Sequence, residues 1–292
     1  MVVLLLLYCC CLPYVWTHDD VVSNSSDGSP VNSSRDYQYY HEALTSGESN
    51  ATNDFGWRIW GGDYIPITEA PYAVLYGWGC SGTLIAPNWV VTAAHCDIQY
   101  SVHVGSEFSA ATQEYAVIRH VFHPGWYSFP KIHRLDFDCL LVQLAWFVPE
   151  TAYTRPIAFG GYEDLNVGQI VTISGWGHTT YEFNKLRENS VSSDLLKAVQ
   201  MTVIDFNYCA TTAVQFQAAK YGEFAEISPR MVCAEGNLGG ATCFGDSGGP
   251  VVANNRLVGI VSWGVHCEPL LMFTNLVMLK GWISETTGLI LK

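Results

Sequence analysis

From residue 59 onward the chain alternates short apolar runs with breaks of Gly, Pro and Asn. Residues 73–76, 82–85, 89–92, 170–173 and 257–261 are such runs, rich in Val, Ile, Leu, Thr and Trp. They are too short for helices and are bounded by turn formers, which predicts strands of an all-β body. Two segments carry a helical composition instead: residues 206–220, rich in Ala and Gln, and the C-terminal stretch 276–287. No internal repeat is visible at the level of residue identity.

The first 58 residues read differently. Residues 2–8 are an apolar run, Cys9–Cys11 and Leu12-Pro13 follow, and polarity sets in at His18. The run is short for a membrane span and sits where a secretory signal belongs, so residues 1–17 are read as a signal peptide cut near Thr17/His18. An uncleaved anchor is the alternative. Residues 18–58 are rich in Ser, Asn, Asp and Tyr and poor in aliphatics, and carry sequons at Asn24, Asn32 and Asn50. They read as a flexible, glycosylated leader, with unused sequons as the plainer alternative. The body then runs from 59 to 292.

Charge narrows the partners. The formal net charge is -13 and no Lys/Arg cluster stands out, so nucleic acid is not an expected partner. A signal implies a secreted, extracellular protein with disulfides among its ten cysteines. Three cysteines leave with the signal and seven remain, so one is unpaired or bonded to another molecule.

The chemistry concentrates in three motifs. Gly245-Asp246-Ser247-Gly248-Gly249-Pro250 places a serine between an acid and two glycines, directly before an apolar run. A serine hydroxyl is a poor nucleophile until a base adjoins it and amides surround it. Val91-Thr92-Ala93-Ala94-His95-Cys96 offers the base, and Asp136-Phe137-Asp138-Cys139-Leu140-Leu141-Val142-Gln143-Leu144 offers an acid between them in the chain.

Together these segments resemble the chymotrypsin/trypsin family of serine endopeptidases over residues 59–285. The resemblance implies two packed six-stranded antiparallel β-barrels with the active site between them and a C-terminal helix. It implies a triad of His95, Asp138 and Ser247, with the amides of Gly245 and Ser247 as oxyanion hole. Asp138 is preferred to Asp136 because the family's acid is followed by leucines at offsets three and six, here Leu141 and Leu144. The family pattern pairs Cys80 with Cys96, Cys209 with Cys233 and Cys243 with Cys267, leaving Cys139 as the odd thiol, read as core packing rather than redox chemistry. Ser174-Gly175-Trp176-Gly177 resembles the segment between the barrels. Ser262-Trp263-Gly264 resembles the strand that pairs with substrate backbone. No cofactor and no metal are expected.

Trp57-Arg58-Ile59-Trp60-Gly61-Gly62 resembles the family's activation site. Cutting after Arg58 by a trypsin-like protease would free the amine of Ile59, which in the family pairs with the acid before the serine, here Asp246. The substrate-binding set is Ala241, Thr242, Ser262, Trp263, Gly264 and Leu271. Trypsin carries an Asp at the pocket base six residues before the serine, where Ala241 stands here. Leu271 falls where the family usually has Gly. The expectation is small or medium apolar P1 residues rather than Arg/Lys, with trypsin-like specificity rescued by Glu268 as the alternative. A longer loop between Cys209 and Cys233 would restrict extended substrates. Expected partners are protein or peptide substrates, the activating protease and protein protease inhibitors, with a monomeric enzyme and no membrane. The competing function is a catalytically weak homologue that acts as a binding partner.

Overall fold

The computed structural model describes residues 62–127, 135–178, 193–215, 219, 226–236, 240–264 and 267–291. The residues read as signal and leader, the sequons and the Arg58–Ile59 bond lie outside the described residues. What is described falls within the compact unit Phe55–Lys292.

Six strands close the first barrel: β2 (Ala73–Tyr76), β3 (Cys80–Ala86), β4 (Trp89–Thr92), β5 (Ser101–Val104), β6 (Gln113–Phe122) and β7 (Leu140–Leu144), paired in the order β2-β3-β4-β7-β6-β5. The second contains β8 (Ile170–Gly175), β9 (Lys197–Val203), β10 (Met231–Gly236), β11 (Pro250–Ala253), β12 (Arg256–Gly264) and β13 (Leu270–Asn275). Its order β9-β10-β13-β12-β11-β8 closes through an antiparallel β8–β9 pair, and the two-residue β1 (Asp63–Tyr64) adds to β9. Both expected six-stranded antiparallel barrels are present. Closure removes the exposed edges that short strands would otherwise present.

The apolar runs lack polar alternation because both faces of several strands are buried. In β4, Val90 points into the first barrel with Val142 of β7, while Trp89 and Val91 point the other way with Leu141. That second face packs against Val252, Leu257 and Ile260 of the second barrel and against the C-terminal helix through Leu276, Leu279 and Ile283. Each fully buried Leu, Ile or Val contributes about 1.5–3 kcal/mol. The interior of the second barrel is a separate cluster that includes Val171, Ile173, Val251, Leu271 and Phe273.

Helix α2 spans Leu276–Thr287, as its composition predicts. Asn275 caps its start by accepting from the Met278 amide, and Gly288 ends it in the left-handed region at φ 76°. The described residues of the other predicted helix, 206–215 and 219, are all helical, though not uniformly α. A short α1 (Phe206–Tyr208), capped by Asp205, runs into a π-helical turn at Cys209–Ala213. Three disulfides form, Cys80–Cys96, Cys209–Cys233 and Cys243–Cys267, and Cys139 is free and buried. Burial, with the charge of Asp138, raises the Cys139 thiol well above its ordinary value, so it stays protonated as a packing group.

Candidate active site

His95 sits in a single 3-10 turn, Ala94–Cys96, directly after β4. The Cys80–Cys96 bridge ties this turn to the start of β3. Asp138 reaches the same turn from the segment entering β7. Its carboxylate accepts the His95 backbone amide at 2.9 Å and contacts His95 Nδ1 at 2.7 Å. The His95 side chain is 28% exposed and that of Asp138 is 0% exposed, so the imidazole is partly open to solvent while its carboxylate partner is not.

The second barrel completes the shell of Asp138. Ser262 Oγ donates to Asp138 Oδ2 at 2.6 Å, and Thr274 Oγ1 donates to the Asp138 carbonyl at 2.9 Å. A buried charge is costly unless paired and hydrogen-bonded, and these donors supply what burial removes. Burial alone would depress His95, but the hydrogen bond and charge of Asp138, helped by Asp97, lift it above its ordinary value.

Ser247 lies on the loop that enters β11. Its carbonyl accepts the Ser81 amide at 2.8 Å, one residue from the bridge that holds His95. Gly248 presses the same contact: its φ is +77°, and a Cβ there would lie 2.1 Å from Thr92 Oγ1. Only glycine tolerates that backbone and that approach. Within the loop the amides of Asp246, Gly248 and Gly249 donate to Cys243, Val261 and Asp246 carbonyls respectively. The amides of Gly245 and Ser247 donate to no acceptor among the described residues. Nor does a hydrogen bond join Ser247 Oγ to His95 among the described residues. Such contacts commonly tighten only when substrate arrives.

Asp246 is buried, and its two carboxylate oxygens accept the amides of Gly177 and Cys243, each at 2.9 Å. Burial pushes this carboxyl up to about 6, against the pull of those amides and the charge of Lys197. The Ser-Gly-Trp-Gly segment must pass close against this carboxylate, and a Cβ at Gly177 would collide with it at 2.4 Å.

Ala241 and Thr242 are buried just before Cys243. The Cys243–Cys267 bridge links their segment to the turn before β13, the strand in which Leu271 lies across from Gly264. Leu271 is fully buried and belongs to the barrel interior with Phe273. Gly264 is exposed and Trp263 half-buried at the end of β12. Glu268 is half-buried and makes an interaction of its own.

Sequence reasoning placed Ser262 on a substrate-pairing strand and missed its hydroxyl on Asp138. It also missed Thr274 and the clamp of Asp136 by Ser228 and Arg230, where Ser228 Oγ donates at 2.7 Å and Arg230 Nε at 2.9 Å. No local motif marks these partners.

Comparisons with known proteins agree with this geometry. The trypsin family model matches residues 59–283. Trypsin 5G1 of Aedes aegypti is 31% identical, covering 82% of this chain and 88% of its own length. A vitellin-degrading protease of Bombyx mori is 32% identical, covering 80% and 88%. The solved structure of neuropsin, a serine protease expressed in mouse brain, superposes with a TM-score of 0.63 at 28% identity, covering 77% of this chain and 98% of neuropsin. No helix among the described residues is long and apolar enough to cross a membrane. With two closed barrels, a histidine–carboxylate pair between them and a family match across the whole body, the chain belongs to the trypsin family and is a serine endopeptidase.

Proposed function

We propose that this chain is a secreted endopeptidase made as an inactive precursor, with His95, Asp138 and Ser247 as its triad. The observation that carries the reading is the pairing of a buried Asp138 with His95 Nδ1 beside a serine loop whose Gly245 and Ser247 amides meet no acceptor among the described residues. Asp138 holds the proton of His95 on Nδ1, which leaves Nε2 free to accept. Ser247 Oγ attacks the scissile carbonyl carbon, its proton passes to Nε2, and the carbonyl oxygen becomes an oxyanion facing the two amides. The intermediate collapses to an acyl-enzyme as Nε2 hands the proton to the departing amine. Water then repeats the sequence, and Ser247 recovers its proton.

Activation follows from Asp246. Its folded-state value of about 6 lies above the ordinary carboxyl value of 3.8. As pH rises through that window the ionised, buried form costs stability, so above it the site favours a cation. The Ile59 ammonium, released by cutting after Arg58, would supply one and order the oxyanion loop. Arg58→Gln should therefore block processing and slow fluorophosphonate labelling of Ser247 by about 10²–10³-fold, the effect of losing one oxyanion donor. Equal labelling of cut and uncut chains would refute this. In the cut enzyme activity should fall at alkaline pH as Ile59 loses its proton, with a midpoint above the ordinary α-amino value of about 8.

The pocket favours small or medium apolar P1 residues. Ala241 brings no carboxylate to the base, and Leu271 fills second-barrel volume at the position where the family usually has Gly. Burying an uncompensated guanidinium or ammonium costs several kcal/mol, so P1 Ala or Val should exceed Arg or Lys by at least about 100-fold in kcat/KM. A P1-varied peptide series run on the cut enzyme is the direct test. A preference for Arg would overturn the assignment and implicate Glu268.

A further inference from the structure

Asp136, the neighbouring carboxylate that the triad does not use, is nearly buried and more heavily bonded than a loop acid needs to be. Its Oδ1 accepts Ser228 Oγ at 2.7 Å, Arg230 Nε at 2.9 Å and the Phe137 amide at 3.0 Å, while Oδ2 pairs with Arg230 Nη2. Arg230 is the residue immediately before β10, so this is a two-point guanidinium–carboxylate fork from the second barrel onto the loop that enters the first. The backbone of Arg230 is fixed in turn, since its carbonyl accepts the Asn275 amide at 2.9 Å. Asn275 follows Thr274, which bonds the Asp138 carbonyl.

Between the two acids stands Phe137, at φ +55°. A bulky residue in the left-handed region is rare and persists only where its surroundings hold it. Here the ring is clamped on two sides. His123 stacks on it at 4.5 Å with the planes 8° apart, and the Arg230 guanidinium lies 4.3 Å from its centroid. Trp282 of α2 closes edge-on against His123 at 4.7 Å. Gly125 leaves the room, because a Cβ there would fall 2.4 Å from the ring. The left-handed turn is what lets one acid face Arg230 while the next but one faces His95.

We propose that Arg230 is a positioning residue: paired with Asp136 and stacked on Phe137, it holds the Asp138 carboxylate on His95 from the opposite barrel. The inference rests on the triad reading above. It assigns the fork a role in turnover, where a structural ion pair would only support the fold. A displacement of about 1 Å in a reacting group can cost on the order of 10²-fold in rate.

The test uses the enzyme cut after Arg58, with kcat expressed per site titrated by fluorophosphonate, so that unfolded molecules drop out of the count. Arg230→Met and the near-isosteric Asp136→Asn should each lower kcat per site by about 10–100-fold with KM changed less than about threefold. The double variant should be no slower than the worse single, because both remove one unit. In each the acid limb of kcat/KM should move to lower pH, as Asp138 loosens on His95; the charged groups facing that imidazole are Asp138 and Asp97. Unchanged kcat per site and an unmoved acid limb, even with a lowered Tm, would overturn the proposal. Asp136→Asn decides the question if Arg230→Met fails to fold. A Ser247→Ala enzyme as active as the parent, measured per mole of protein because it has no serine to titrate, would sink the triad reading itself, a result separable from full activity in the Arg230 and Asp136 variants alone.

Discussion

Ser247→Ala should remove about 10⁶-fold from kcat while leaving peptide affinity nearly intact. The hydroxyl is the atom that becomes covalently bonded, so nothing else in the site can replace it, whereas the β-strand and pocket contacts that bind substrate are untouched. His95→Ala should cost a similar factor, and the double variant should be little worse than either single, because nucleophile and base act as one unit. The residual rate belongs to the two amides and to binding, on the order of 10³–10⁴ over water. Single-turnover assays with a chromogenic peptide would read all three variants. Retention of more than a few per cent of kcat in Ser247→Ala would remove the serine from the chemistry, whereas a cut parent enzyme with no turnover and no fluorophosphonate labelling would favour a binding role for the protein.

The second large effect is expected at Asp138. Asp138→Asn should lower kcat by about 10⁴-fold at neutral pH, since an amide facing Nδ1 can hold the imidazole in the wrong tautomer. The environment of His95 adds a pH signature. Its proton affinity is raised above the ordinary value of 6.5 because the hydrogen bond and charge of Asp138, with Asp97, outweigh burial. The rate requires unprotonated Nε2, so activity climbs with pH through this titration. Removing the Asp138 charge leaves burial dominant, and the acid limb of kcat/KM should shift to lower pH. A limb that stays in place, or moves up, would mean that Asp138 does not set the protonation of His95. Ser262 makes the same point from the other side, since its hydroxyl shares Oδ2 with His95.

The parts of this site legible in the sequence are those whose geometry is local. The glycines around Ser247 are demanded by contacts such as Gly248 on Thr92 and Gly177 on Asp246, so the motif survives as a readable string. Asp138 is preferred to Asp136 through the family's leucines at offsets three and six, and those leucines are held in place by two cores, Leu141 between the barrels and Leu144 within the first. The strands are legible as short apolar runs, although nothing in a run that is apolar on both faces tells which core each face will meet. What cannot be read is what closure of the barrels brings together. Ser262 stands 124 residues from Asp138 and Thr274 136 residues away, while Arg230 meets Asp136 across 94. A lone Ser, Thr or Arg on a strand end carries no mark of such a partner. The composition of residues 206–220 predicts a plain helix. The π-helical turn there coincides with Cys209, which is bridged to Cys233 in β10, a constraint that helix propensity does not contain.

The double-sided burial of β4 and β7 has a consequence for how this architecture can be divided. Val91 and Leu141 face away from their own barrel, into a layer completed by Val252, Ile260 and the C-terminal helix. A barrel released from its neighbour would not be a smaller protein with a water-compatible surface, because it would carry a contiguous apolar wall built of β-branched and leucine side chains. Such walls recruit other copies of themselves. The two barrels are therefore one unit of solubility as well as of catalysis, and a chain interrupted in the segment between them is a candidate for aggregation before it is a candidate for half an enzyme.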